Sequence, residues 1–256
     1  MNRRRRATAF AAVYLLSTAP ARGDFTTVVN APPDVISPGT VLGADTQVNL
    51  FPGATANLGE VFYLGGFNAP AQNAQLNLLG GAAWAVEAWT GSELNVLAGT
   101  IGAANLLGGR GAMSGGVVES WVLFAEGRLE MSGGIAASVY TAGPVDGPPP
   151  DAAYFVMTGG EVGLLDAVSN VAIHGGRVDS MFFRGGGFVE VSGGAIGDDF
   201  EVGSVVIGAH PDDPIGETVV GASGHVTMRG GSIGSRMILR DGRTLDYSGG
   251  VIGDAI

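Results

Sequence analysis

Residues 171–196 read VAIHGGRVDSMFFRGGGFVEVSGGAI and hold two copies of one pattern: apolar, any, apolar, any, Gly, Gly, any, Val or Ile. The two apolar residues before the glycines stand two positions apart, so they lie on the same side of a β-strand. The glycine pair permits a sharp bend with positive φ, which β-branched residues resist. After the bend Val178 and Ile196 point inward again. The pattern therefore predicts a strand, a corner and a second strand.

The pattern recurs over most of the chain. Clear copies are LEMSGGIA (129–136), FVMTGGEV (155–162), VTMRGGSI (226–233) and LDYSGGVI (245–252), and weaker ones are LNVLAGTI (94–101) and GAMSGGVV (111–118). The second glycines are Gly66, Gly81, Gly99, Gly116, Gly134, Gly160, Gly176, Gly194, Gly231 and Gly250. Their successive intervals are 15, 18, 17, 18, 26, 16, 18, 37 and 19 residues. Most intervals are thus close to 18 residues.

A coil of this length cannot bury its inner face alone, so the coils are expected to stack through parallel ladders. The fold class that we predict is all-β: a single-stranded parallel β-helix (β-solenoid) with turns of about 18 residues. A left-handed hexapeptide helix would fit the coil length, but no regular six-residue recurrence of apolar and small residues is present. We therefore favour right-handed winding. Helical repeats are excluded because glycine pairs break helices.

Two intervals depart from the repeat. The interval of 26 residues contains PVDGPPPD (144–151), which predicts a loop inserted into one turn. The interval of 37 residues contains HPDDP (210–214), and we interpret it as two turns with one glycine anchor lost. Loops that leave one edge of a regular array are what a solenoid tolerates.

The N-terminus has the order of a secretory signal peptide: Arg3 to Arg6, an apolar stretch from Ala7 to Ala19, and the triplet Ala19-Pro20-Ala21. The apolar stretch is shorter than the roughly 20 residues that a membrane span needs, so we expect cleavage after Ala21, with a retained anchor as the alternative. The predicted organisation is a signal peptide (1–21), a lead-in and cap (22–47) and repeats (48–256). The expected location is secreted or at the cell surface.

The charge and residue composition exclude some classes of binding partner. The chain has 13 Lys+Arg, all of them Arg, against 24 Asp+Glu, and its formal net charge of −11 becomes −15 when the four leader arginines are removed. An acidic chain without a basic patch is a poor ligand for nucleic acid or anionic lipid. Cysteine is absent, so burial and hydrogen bonding must hold the fold together. No apolar run of spanning length follows the leader, so no transmembrane span is expected in the mature chain.

The units SGGAIGDDF (192–200) and SGGVIGDA (248–255) resemble the Gly-rich repeats of secreted bacterial β-helix proteins, including autotransporter passengers and pectin-lyase-like domains. The resemblance covers residues 48–256. Its motifs are structural, so it implies the fold and export more than an activity.

One enzymatic hypothesis rests on Asp198, Asp199 and His225. Their contexts, Gly-Asp-Asp and Gly-His-Val, resemble two motifs of the β-helical polygalacturonases, in which paired carboxylates supply acid and base. The Asn-Thr-Asp and Arg-x-Lys motifs of that family are missing, and the chain has no Lys. Gly197-Asp198 also recurs as Gly253-Asp254 at the same point of another unit. The repeat therefore explains these aspartates as solvated corner residues.

A second hypothesis is weak calcium binding, since carboxylates are hard oxygen ligands. Its candidates are Asp198, Asp199, Asp212 and Asp213. They lie beside Gly and Pro in predicted turns, where Asp is common for local hydrogen bonding. No cofactor other than such calcium is expected.

The three tryptophans, Trp84, Trp89 and Trp121, could stack on sugar rings if they were exposed, but we expect them to pack in the core or a cap. Coil geometry explains the distinctive residues and leaves no surplus chemical cluster. We therefore expect a secreted or cell-surface structural and interaction module, adhesin-like or matrix-like, whose faces contact polysaccharide or other cell-surface material. The alternative is a polysaccharide-active β-helix enzyme, polygalacturonase-like or lyase-like.

Overall fold

The structure of the chain is a computed structural model that describes residues 25–32, 39, 41–54, 61–66, 73–124, 126–142, 154–185, 187–203, 205–207, 218–220, 224–234, 236–239 and 243–253. Within these ranges every regular element is a β-strand, and no helix there could span a membrane. The expected signal peptide (1–21), the Pro-rich stretch (144–151) and HPDDP (210–214) lie outside the described residues.

Each coil contributes to two faces that meet at a glycine corner. The first face holds the strands before the corner: β1 (Thr27–Ala31), β3 (Thr46–Leu50), the first residues of β5 (Gln75–Trp89) and of β6 (Glu93–Leu107), β7 (Arg110–Met113), β9 (Arg128–Met131), β11 (Tyr154–Met157), β13 (Asn170–Ile173), β15 (Phe188–Val191), β19 (His225–Met228) and β22 (Thr244–Tyr247). The second face holds β2 (Val41–Leu42), β4 (Val61–Leu64), the rest of β5 and β6, β8 (Val117–Phe124), β10 (Ile135–Ala142), β12 (Glu161–Ala167), β14 (Arg177–Phe183), β16 (Ala195–Val202), β20 (Ser232–Ile233), β21 (Arg236–Leu239) and β23 (Val251–Ile252).

The strands of each face pair in parallel with the strands of the coils before and after. Val171 pairs with Val189, and Val189 pairs with Val226. Asn77 and Asn95, which are 18 residues apart, pair in the same way. The predicted fold class, an all-β parallel β-solenoid with turns of about 18 residues, is confirmed.

The core lies inside the coils, on the positions that the alternation predicts. Val189, Val191 and Ile196 are at most 1% exposed. The second apolar positions of the coils are buried as well, with Trp121 and Phe183 both at 0% exposure. Burial of this continuous apolar column is the main force that holds a chain without disulfides in its coils.

Two features of the corner at Gly134 require glycine at the second position. Gly134 has a φ of 84°, a left-handed value that side chains with a Cβ rarely adopt. A Cβ built at Gly134 would also lie 2.6 Å from Cε of Met113 and 2.8 Å from the carbonyl oxygen of Gly115, both in the preceding coil. At this corner a core side chain of one coil therefore packs against a glycine of the next, as it does again at Gly160, Gly176 and Gly250.

The interval of 37 residues is one coil, so our interpretation of it as two turns is wrong. β15 pairs directly with β19, and β16 pairs directly with β20. The chain between them leaves the ladder and contains an antiparallel pair, β17 (Val205–Ile207) with β18 (Thr218–Val220). The Val-rich sequence of this pair imitates a coil, but its strands bond to each other and not to the solenoid ladder.

Candidate functional site

A ladder of asparagine side chains runs along the outside of the first face. Asn30, Asn49, Asn77 and Asn95 occupy the same outward position of successive coils, because their strands pair in register. Each amide nitrogen donates to the amide oxygen of the coil before it, at 2.8 Å from Asn49 to Asn30, 2.8 Å from Asn77 to Asn49 and 3.0 Å from Asn95 to Asn77. We call these four residues the amide ladder. Stacked amides of this kind stabilise parallel strands in register.

The amide ladder was not predicted from the sequence. Its signal is the triplet apolar-Asn-apolar in three successive units: VNL (48–50), LNL (76–78) and LNV (94–96). An outward residue is not constrained by burial, so its recurrence points to contact between coils. The ladder ends at Ala112, which follows Asn95 in register and is itself followed by Glu130.

Beside the ladder a groove of about 740 Å³ runs across five coils, and we call it the axial groove. Amides, hydroxyls and one carboxylate supply its polar groups, and aliphatic side chains supply the rest. It is lined by Asn77, Leu79, Asn95, Leu97, Ala112, Met113, Ser114, Glu130, Met131, Ser132, Val156 and Thr158. An apolar surface with a few placed polar groups is the usual composition of a ligand site.

Charged and aromatic side chains border one side of the groove. They stand two residues before the groove-lining residues of the same strands. The Nε of Arg128 lies 3.1 Å from the carboxylate of Glu130, and its guanidinium lies 5.0 Å from the centre of the Tyr154 ring. Arg110 is the register neighbour of Arg128 and is exposed. The pairing with Glu130 and Tyr154 fixes where Arg128 can point, since both partners attract a guanidinium.

Two rings lean together farther along the same side. Tyr154 and Phe188 have ring centres 6.3 Å apart, at an interplanar angle of 59°. Asn170 lies between their strands, is only 5% exposed, and accepts a hydrogen bond of 3.1 Å from the backbone N–H of Phe188. The aromatic pair thus covers a polar group whose hydrogen bond is already made.

His225, one of the predicted catalytic residues, contacts the next coil on the first face. Its Nδ1 lies 2.5 Å from the hydroxyl oxygen of Thr244, and its Nε2 lies 3.3 Å from Oδ2 of Asp246. The side chains of His225 and Asp246 are 45% and 75% exposed, so water competes for this contact. The arrangement has the character of a surface contact between coils.

Asp198 and Asp199 stand elsewhere, in β16 on the second face. The backbone of Asp199 is in register with Ser180 on one side and Arg236 on the other, next to a register shift. The ladder of β16 includes β14, β20 and β21, whereas that of His225 includes β15 and β22. The backbone register therefore puts the two aspartates and the histidine on different faces.

Asp212 and Asp213 lie outside the described residues, and calcium binding by the four aspartates stays a prediction. Within the ranges that the structure describes, no three His, Asp or Glu side chains converge so that they could hold a metal ion.

The tryptophans divide. Trp121 is fully buried, as we expected, whereas Trp84 is 51% exposed. Core packing is therefore the wrong interpretation for Trp84. The reason is its position between Ala83 and Ala85, which both face inward and leave the residue between them outside.

In the part of the chain that the structure describes, two ionisable groups have shifted pKa values: Asp166 in β12 and Arg243, directly before β22. Burial raises the pKa of Asp166, and the Arg184 guanidinium, 3.1 Å away, opposes the rise. Burial lowers the pKa of Arg243, whose guanidinium donates to the carbonyl oxygens of Gly185 at 2.6 Å and Gly203 at 2.7 Å. Neither group faces the axial groove, and both hold neighbouring coils together.

Comparison of the chain with protein-family models, with curated proteins and with solved structures gives no match.

Proposed function

We propose that the chain is an exported structural and interaction module, adhesin-like or matrix-like, which contacts polysaccharide through the axial groove. The observation that carries the proposal is the groove, which combines aliphatic surface at Leu79 and Leu97 with amides and hydroxyls along five coils. A sugar chain offers the same two kinds of surface, because its rings have apolar faces and hydroxyl edges. The match is one of chemistry and of shape, since both are extended.

The charge of the protein supports an uncharged or weakly charged partner. The formal net charge is −11, and a protein field of this sign opposes nucleic acid and anionic lipid headgroups. Among the described residues that line the groove, Glu130 is the one carboxylate, and it pairs with Arg128.

Sequence features support the extracellular setting. The leader (1–21) predicts export, and the Gly-rich units resemble those of autotransporter passengers and pectin-lyase-like domains of secreted proteins. We expect the exported protein to begin at Arg22. Cell fractionation followed by N-terminal sequencing tests this, and recovery of a cytoplasmic protein with Met1 intact would contradict it.

A glycan array combined with an assay for released reducing ends tests the interaction role. We expect the purified protein to bind polysaccharide and to release no reducing ends. Leu97→Ser should weaken binding at least about tenfold, since the burial of one Leu side chain on a ligand is worth about 1.5–3 kcal/mol. Ser is tolerated at this position of the repeat, because Ser114 and Ser132 precede the next corners.

The matched control is Val117→Thr on the other side of the corner, where the register neighbour is already Thr100. It also replaces exposed apolar surface with a hydroxyl, but outside the groove, and should leave binding unchanged. Release of reducing ends by the wild type would favour the enzyme hypothesis of Asp198, Asp199 and His225. Absence of binding to every polysaccharide would remove the glycan role.

A further inference from the structure

The outward position that carries the amide ladder is interrupted by one small residue. In register order the position is occupied by Asn77, Asn95, Ala112, Glu130 and Val156. Coils are about 4.8 Å apart, so Asn95 and Glu130 stand about 10 Å from each other with only the methyl group of Ala112 between them. The gap lies within the axial groove.

Polar side chains also border the gap along its own strand. Arg110 and Ser114 lie two residues before and two residues after Ala112, on the same outward side and exposed. At about 3.3 Å per residue, each Cα is about 7 Å from that of Ala112. We call the depression enclosed by Asn95, Arg110, Ser114 and Glu130 the Ala112 notch.

The direction of the amide ladder determines what the notch offers. The amide nitrogens of Asn49, Asn77 and Asn95 all donate toward the N-terminal coils, so the oxygen of Asn95 is the terminal acceptor, and it receives no hydrogen bond from the part of the chain that the structure describes. Hydrogen bonds in a chain polarise one another, which strengthens the acceptor at the end. The notch therefore has acceptors at Asn95 and Glu130, and donors at Arg110 and Ser114.

The charges in the notch nearly balance. Arg110 has Glu93 as its register neighbour and Arg128 lies 3.1 Å from Glu130, so two arginines stand beside two glutamates, while the remaining protein is acidic and repels anions at long range. A ligand that carries a carboxylate on each ring would gain no net charge attraction from these two pairs and would be repelled by the field of the whole protein. A ring with hydroxyl groups satisfies both kinds of partner without a charge, and its apolar face can rest on the methyl group of Ala112.

We infer that the Ala112 notch seats one sugar ring of an uncharged polysaccharide that runs along the axial groove. Ring hydroxyls donate to the Asn95 amide oxygen and the Glu130 carboxylate, and they accept from Arg110 and Ser114. The inference rests on the proposed function, to which it adds the ligand class and the position that selects it.

The test measures binding of the purified protein by isothermal titration calorimetry, with a soluble β-glucan and a mannan as neutral probes and polygalacturonate as the acidic probe. We expect at least one neutral probe to bind, with an affinity that hardly changes with salt, and polygalacturonate to bind more weakly. Ala112→Leu fills the notch and should weaken that binding at least tenfold. Thr227→Leu is the matched control, because Thr227 occupies the same outward position in β19, outside the groove.

Ala112→Val is a second variant whose side chain the column already accommodates at Val156, and it should weaken binding to an intermediate degree. Thermal melting checks that all three variants fold. Neutral binding that is equal in Ala112→Leu and wild type, or binding of polygalacturonate alone, overturns the notch but leaves polysaccharide contact standing. No binding of any probe overturns both the notch and the proposed function.

Discussion

The second glycine of each corner is set by two independent requirements. A positive φ, such as 84° at Gly176, disfavours any residue with a Cβ by about 1–2 kcal/mol. The space is also taken, because Cε of Met157 lies 2.5 Å from where a Cβ at Gly176 would stand. The same pairing of a Met with the glycine one coil later occurs at Met113 with Gly134 and at Met228 with Gly250. The corner glycine is thus part of the packing as well as of the turn.

Gly134→Ala should lower the free energy of unfolding by about 2–5 kcal/mol, the sum of a left-handed backbone penalty and overpacking against Met113. Urea denaturation measures the loss. Gly43→Ala is the control, since a Cβ there meets no atom within 4 Å and its φ is not in the left-handed region. It should be neutral or slightly stabilising. Equal effects of the two changes would contradict the packing role of the corner.

Asp166 makes stability depend on pH in the direction opposite to an ordinary ion-paired carboxylate. Burial raises its pKa above 3.8 in the folded protein, so its favourable contribution is complete below pH 3.8 and is lost as the pH rises through the raised pKa. Asp166→Asn cannot titrate. The stability of this variant relative to wild type should therefore increase as the pH rises from about 3 through that range. Urea midpoints at several pH values measure the difference, and a difference that falls with pH would contradict the burial effect.

At the scale of the strand, alternation and glycine corners could be predicted and outward contacts could not. Val189 and Val191 are buried because both must leave water, and the sequence period of two expresses that requirement directly. Trp84 and the amide ladder lie on the outside, where solvent accepts almost any residue and no period identifies the partner. The ladder depends on coils that stand next to each other in space, which follows only once the register is known.

An inner residue of the amide ladder should contribute more to the free energy of unfolding than a residue of a single amide pair. Asn77 donates to Asn49 and accepts from Asn95, so Asn77→Ala loses two hydrogen bonds, worth together about 1–3 kcal/mol. Gln75→Ala, on the same strand, loses only its bond of 3.0 Å with Gln47 and should cost about half as much. Thermal unfolding of both variants measures the ratio. Equal melting temperatures of the two variants would contradict a stabilising contribution from the second hydrogen bond of Asn77.

In the molecule as a whole, the structure differs most from the prediction in the interval of 37 residues between Gly194 and Gly231. The length of this interval, about twice 18, predicts two turns with one glycine anchor lost, yet the parallel ladder passes directly from β15 to β19. Pairing between distant segments decides which strands are stacked, and a local pattern does not record it. The candidate site was missed for the same reason, because it exists only between coils.

The parallel strand pairing of the solenoid does not include β17 and β18. The chain between Gly203 and Gly224 should therefore be dispensable for the solenoid fold. Replacement of residues 205–220 by a flexible Gly/Ser linker of about six residues should leave the melting temperature within a few degrees of wild type. Circular dichroism measures the melt, and the retained Gly203 keeps its carbonyl for Arg243. A large drop would mean that the antiparallel pair supports the coils.

The register of the ladder also governs how the molecule would bear a load. In the parallel ladders of the described residues, each strand pairs with the strand of the coil before and the strand of the coil after, as Val189 does with Val171 and Val226. Tension applied at Thr27 and Val251 would act on the outermost coils first and open their bonds one after another, since no strand spans several coils. The protein would then unfold coil by coil under force, with a small extension and some dissipation of energy at each step.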